Sequence, residues 1–232
     1  MSPGPPVVLV HGIATSSART WGDNGWLDLL ADAGRSVIGI DLLGHGTADK
    51  PHDPAAYDRM EELVLAQLPA EPVDAVGFSL GARTLLVLAS AHPERFHRIV
   101  VAGVGANLFR RDDTAELLAD AIATGDDAAA PTSPVAQYFR SLAEQPGNDP
   151  LALAACLRRP GPSGITADTL VRITCPVLVV LGDADFAGPA DPLLEALPDA
   201  RLVTLRGVDH FATPKDFSFL DAGLDFLGAQ PA

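Results

Sequence analysis

The chain has 232 residues, 47% hydrophobic and 20% charged, which suits one compact domain with a real core and argues against disorder. With 30 acidic residues against 16 basic ones, the formal charge is -14, a field that repels phosphate backbones and anionic membranes. A small-molecule substrate is therefore expected as partner, with no nucleic acid and no membrane. Cys156 and Cys175 form neither a disulfide framework nor a zinc spacing, and no metal is expected. The opening Met1-Ser2-Pro3-Gly4-Pro5-Pro6 lacks the basic and apolar regions of a secretion signal. No apolar run approaches the ~20 residues that cross a bilayer. A cytoplasmic protein is the expectation.

In chain order, Val7–Val10 is the first short apolar run. Trp26, Leu27, Leu29, Leu30 and Ala33 then recur at helical spacing, and Ser36–Ile40 is a second run. Met60, Leu63, Val64 and Leu68 form the next helical pattern. The run Val73–Gly77 follows, then a helix through Leu85, Leu86, Leu88 and Ala89 that ends at His92-Pro93. Arg98–Val101, Val177–Leu181 and Ala200–Leu205 complete the series. Most runs are apolar at nearly every position, as strands covered on both faces must be. Their alternation with helices predicts an α/β fold with a doubly wound, mostly parallel sheet of about six strands. Between Asn107 and Thr174 nothing reads as a strand. Helical patterns at Ala115–Ala123, Val135–Leu142 and Leu151–Leu157 are separated by Pro131, Pro134, Pro146-Gly147 and Pro160-Gly161-Pro162. The expected organisation is a core domain from residues 1–106 and 175–232, with 107–174 as a helical insertion.

Gly77-Phe78-Ser79-Leu80-Gly81 carries the strongest chemical signal, because it joins an apolar strand to a helix. So sharp a turn lifts the serine hydroxyl above the sheet edge, and a side chain at position 77 or 81 would collide with neighbouring backbone. The helix N-terminus beneath Ser79 favours negative charge developing nearby. A serine hydroxyl is a weak nucleophile until a base takes its proton. The histidines available are His11, His45, His52, His92, His97 and His210, the last lying just past the final strand in Gly207-Val208-Asp209-His210-Phe211. Two carboxylates, Asp183 and Asp185, follow Val177–Leu181, and either could orient an imidazole. No acid follows the preceding strand, in Gly103-Val104-Gly105-Ala106-Asn107. After the first strand, Val10-His11-Gly12-Ile13 lets backbone approach a substrate, so the Ile13 and Leu80 N–H groups are the candidate oxyanion donors. His11 reads as a brace for this loop. His45, in Asp41-Leu42-Leu43-Gly44-His45-Gly46, reads as a loop residue with its hydrogen bonds satisfied.

The ordered set His11-Gly12, Asp41-x-x-Gly44-His45-Gly46, Gly77-x-Ser79-x-Gly81, Gly182-x-x-Asp185 and Asp209-His210-Phe211 resembles the α/β-hydrolase superfamily, in its serine-nucleophile branch, across nearly the whole chain. The resemblance implies Ser79 as nucleophile and His210 as base. Its familiar G-x-x-D spacing implies Asp185 as the acid, leaving Asp183 to cap the turn. It also implies that the helical interval is a cap over the site and that two N-terminal strands of larger members are missing. The reaction implied is acyl transfer to water, with a small or medium ester as leading substrate and no cofactor. Arg83 is similar to an arginine that binds anionic substrate in a lyase of menaquinone biosynthesis. That lyase chemistry, or C–C bond hydrolysis of an anionic substrate, is the alternative, and Arg110, Arg111, Arg140, Arg158 and Arg159 could also attract a carboxylate. Phe109, Tyr138 and Phe139 are expected at a modest apolar pocket. A non-catalytic ligand receptor on the same fold is the alternative from another class, and the complete set Ser79, Asp185 and His210 disfavours it.

Overall fold

The computed structural model describes residues 4–110, 114–123, 133–159 and 165–230; Arg111, Pro131 and Pro160-Gly161-Pro162 lie outside them. The strands are β1 (Val7–Val10), β2 (Val37–Ile40), β3 (Val73–Phe78), β4 (Phe96–Ala102), β5 (Val177–Gly182) and β6 (Ala200–Leu205). They form one sheet in the order β2-β1-β3-β4-β5-β6, and every pairing is parallel.

Side chains alternate across a strand, so an interior strand of a two-sided sheet must be apolar on both parities. In β5, Val177, Val179 and Leu181 enter one apolar cluster while Leu178 and Val180 enter another. The first cluster takes Met60 and Val64 from α2 (Met60–Leu65), Leu85 and Leu86 from α3 (Leu80–Ala91), and Leu193 from the helix Asp191–Ala196. The second is filled by Trp26 and Leu30 of α1 (Trp26–Asp32) and by Phe219, Leu224 and Leu227 of the last helix, Phe217–Leu227. The helices Asp191–Ala196 and Phe217–Leu227 carry no pattern singled out in the sequence. Gly223 stands inside the final helix because a Cβ there would lie 2.4 Å from Trp26 Cη2, a packing demand that outweighs helix propensity.

Leaving β1, the chain runs to β2 on one side and returns to place β3 on the other. That reversal opens a crevice at the C-terminal ends of β1 and β3, where ligands bind in sheets of this kind. At the opposite end, buried Asp74 accepts from Arg35 Nη2 at 2.5 Å and lies 2.8 Å from His97 Nδ1. Arg35 also donates to the carbonyls of Pro5 and Leu227. Between β4 and β5 come α4 (Thr114–Ala123), α5 (Pro134–Ala143), α6 (Pro150–Leu157) and the short α7 (Ala167–Leu170). Ile122, Phe139 and Leu153 from the first three of these form a third apolar cluster. That cluster also takes in Ala14, with Ile13 and Phe211 packed at its edge. Cys156 and Cys175 are free and buried. Among the described residues, no helix is long and apolar enough to cross a membrane.

Candidate active site

Ser79 sits between β3 and α3 with φ 51° and ψ -109°, a backbone state that costs a non-glycine residue roughly 1–3 kcal/mol. The surroundings enforce it. Its N–H donates to Ala102 O at 2.8 Å and its carbonyl accepts from the Arg83 N–H at 3.0 Å. A Cβ at Gly77 would stand 2.7 Å from the Ala82 backbone, and one at Gly81 would stand 2.1 Å from Val10 O. Both glycines are therefore required by close backbone approach.

Three loops at the C-terminal edge of the sheet then meet. His210 Nε2 is 3.0 Å from Ser79 Oγ, and His210 Nδ1 is 3.0 Å from both carboxylate oxygens of Asp185. An ionised carboxylate only accepts, so the ring proton belongs on Nδ1 and Nε2 is left to accept from the serine hydroxyl. The Asp185 side chain is fully buried and also accepts from the Ala187 N–H at 2.8 Å. Phe78 and Phe186 flank the imidazole, with ring centroids 5.0 and 4.4 Å away. Gly103 makes room for this stack, since a Cβ there would lie 2.7 Å from Phe78 Cε2 and 3.0 Å from His210 Cε1. Asp183 faces elsewhere and accepts from the Gly207 N–H at 2.7 Å, tying down the loop that carries His210. Asp209 accepts from the Phe211 and Ala212 N–H groups.

A cleft of about 380 Å³ opens over Ser79 and His210, and Ile13, Phe78, Tyr138, Phe139, Leu142 and Phe211 contribute to its lining. Gly12 lets its rim come close, because a Cβ there would be 2.9 Å from Phe78 Cδ1. Leu80 is the first residue of α3, so its N–H has no intrahelical acceptor. One wall is aromatic: Tyr138 stacks on Phe211 with centroids 3.9 Å apart, and Phe139 meets Phe211 edge-on at 5.4 Å.

Of the pocket residues expected from sequence, Tyr138 and Phe139 line this cleft; Arg83 and Phe109 are not part of its lining. Phe109 packs on the first core cluster. Arg83 has its pKa lowered by burial and by nearby Arg159, with Glu61 opposing. Arg159 itself pairs with Glu61 at 3.1 Å. Arg110 donates to Gly188 O at 2.8 Å, Arg140 to Glu144 at 3.2 Å, and Arg158 to Glu116 and Asp120. The sequence did not single out Phe78, Phe186 and Gly103 around the imidazole, or Phe211 as a wall. The available signal for Phe211 was its place directly after His210.

His11 braces the loop after β1: Nδ1 lies 2.7 Å from Gly12 O, and Nε2 accepts from the Leu42 N–H at 3.1 Å. Burial lowers its pKa. His45 corrects the expectation of a satisfied loop residue. Nδ1 is 3.0 Å from Leu43 O, but Nε2 is buried without a hydrogen-bond partner among the described residues. Burial first, then the adjacent His11, push its pKa down to about 3. The ring stays neutral when folded but takes a proton near pH 6.5 when unfolded, so its stabilising contribution is present above that pH and lost as pH falls. Between pH 7 and pH 5 the wild type is expected to lose about 2 kcal/mol more unfolding free energy than His45→Gln. Urea titrations at the two pH values check this, and parallel losses in both proteins would contradict it.

The profile of the alpha/beta hydrolase fold family matches residues 5–127. The pimeloyl-[acyl-carrier protein] methyl ester esterase of Neisseria meningitidis serogroup B is 31% identical over 232 residues, covering 88% of this chain and 85% of that protein. An uncharacterised Mycobacterium bovis protein is 38% identical over 105 residues, 44% of this chain and 30% of that much longer protein. A hydrolase of Pseudomonas aeruginosa superposes with a TM-score of 0.70 at 25% identity, covering 98% of this chain and 91% of that one. The chain belongs to the α/β-hydrolase fold family.

Proposed function

We propose that the protein cleaves a carboxylic ester of a small or medium acyl substrate through an acyl-enzyme on Ser79. The observation that carries this reading is the line of 3.0 Å contacts from Ser79 Oγ through His210 to Asp185 at the floor of an open cleft. In the first half-reaction Oγ attacks the ester carbonyl carbon and its proton passes to His210 Nε2. The tetrahedral oxyanion faces the Ile13 and Leu80 N–H groups. Its collapse breaks the ester C–O bond, and the departing alkoxide takes the proton from His210. Water repeats the sequence, with its proton going to His210 and then back to Ser79 as the acid leaves. Asp185 accepts from His210 Nδ1–H throughout and keeps the ring in one orientation.

Two features favour an ester over the anionic substrates of lyase or C–C bond chemistry. The aromatic wall of Tyr138, Phe139 and Phe211 suits an uncharged acyl or alcohol group; Arg83 stands outside the lining, and of the cations within it, Arg19 and Lys215, the first is already engaged by Gln145 and Pro146. The full-length relative from Neisseria is named as a methyl ester esterase. Intact-mass labelling of wild type and Ser79→Ala with a fluorophosphonate, beside p-nitrophenyl esters of increasing acyl length, tests the reading. Expected are one label per chain, lost in Ser79→Ala, and turnover that peaks at short to medium acyl length. Labelling without ester turnover would point to the anionic-substrate alternatives. No labelling would point to the receptor.

A further inference from the structure

We infer that Asn148 is a positioning residue for the oxyanion donor at Ile13, and that it clasps the donor loop to the helices walling the cleft. The inference rests on the serine acyl-transfer reading above. Among the described residues, two non-glycines have positive φ: Ser79, and Ala14 at 59°. Ala14 directly follows Ile13, so the chain takes a conformation that alanine disfavours by about 1–2 kcal/mol immediately beside the proposed donor. Something must hold it there.

Two contacts do so, and both come from the segment between β4 and β5. The Ala14 side chain is 1% exposed and lies in the cluster of Ile122, Phe139 and Leu153, a core otherwise built from that segment's own helices. The Ala14 carbonyl accepts from Asn148 Nδ2 at 2.9 Å, and the same nitrogen donates to Leu142 O at 2.8 Å. An amide nitrogen has two hydrogens, and here each has its own carbonyl acceptor. Flipping the amide would turn an oxygen against both carbonyls, so the side chain has one favourable orientation. Leu142 lies in α5, the helix that presents Tyr138 and Phe139 to the cleft. Asn148 therefore joins the donor loop to the substrate wall. Arg19 reinforces the join from the core side, donating to Gln145 Oε1 at 3.0 Å and to Pro146 O at 2.5 Å.

Oxyanion stabilisation depends on a donor already aimed where charge develops, and deleting one such donor typically costs about 10²- to 10³-fold in kcat. Asn148 is not part of the cleft lining and makes no hydrogen bond to Ser79 or His210. Its effect passes through Ala14. Without the clasp the loop is free to relax from its disfavoured conformation, and the Ile13 N–H loses its aim while Phe139 in the aromatic wall stays packed in its own cluster with Ile122 and Leu153.

The test compares wild type, Asn148→Ala and Asn148→Ser by ester kinetics, melting temperature and inhibition by a trifluoromethyl ketone. That ketone forms an oxyanionic hemiketal on a nucleophilic serine. For Asn148→Ala we expect kcat to fall about 10- to 100-fold, short of full donor deletion, with KM within about threefold. The ketone affinity should fall by the same factor as kcat. Asn148→Ser keeps one donor and should lie between; it also covers the case in which the alanine protein does not fold. Unchanged kcat, or a lower melting temperature and raised KM with ketone affinity retained, would overturn the inference and leave the acyl-transfer reading standing. A wild type that neither takes a fluorophosphonate nor responds to the ketone would overturn that reading, and this inference with it.

Discussion

Ser79→Ala is expected to lower kcat for an ester by about 10⁵- to 10⁶-fold, and His210→Ala by a similar factor. The double variant should fall little further than either single one. In the proposed mechanism nucleophile and base act on one proton across the 3.0 Å contact, so removing either leaves the other without a task. Residual rate would come from the cleft and the backbone donors, which neither substitution touches. Active-site-titrated rates for the three proteins decide the matter. A double variant as slow as the product of the two single effects would show that Ser79 and His210 work independently, against the proposed mechanism.

The second large effect separates two neighbouring carboxylates. Asp185→Asn is expected to cost about 10⁴-fold in kcat, and Asp183→Asn less than about tenfold. Asparagine at 185 keeps the shape but offers an N–H toward His210 Nδ1. That favours the tautomer with its proton on Nε2, where no lone pair remains to accept from Ser79. Asparagine at 183 retains an oxygen able to accept from the Gly207 N–H, so the loop carrying His210 keeps its anchor. Equal damage from both substitutions in steady-state rates would contradict this division of roles.

The degree to which the fold and site could be read from sequence follows from how local each determinant is. The strands were legible because both parities of each interior strand are apolar, as β5 demonstrates. The serine turn was legible because two glycines are demanded within five residues by contacts that any side chain would violate. Between Asp183 and Asp185 the residues alone gave no choice; family spacing pointed to Asp185, and the structure places its carboxylate against His210. Arg83 lies one helical turn beyond Ser79, close in sequence, yet its charged neighbours are Glu61 and Arg159. Phe186 and Phe211 were missed because their roles depend on ring-to-ring contacts across separate loops. The vacant Nε2 of His45 was equally illegible, since an unmatched buried nitrogen is a property of the packed surroundings.

Arg35 gathers three distant parts of the chain onto one buried guanidinium: Pro5 near the first strand, Asp74 at the foot of β3, and Leu227 at the close of the last helix. Elements near the extremities of a fold ordinarily fray at little cost, well before the interior opens. Here, peeling away either extremity would strip carbonyl acceptors from a cation buried at the foot of β3 and leave it undersolvated. Fraying is thereby tied to global opening, and trimming back past Leu227 would be felt at the centre of the sheet.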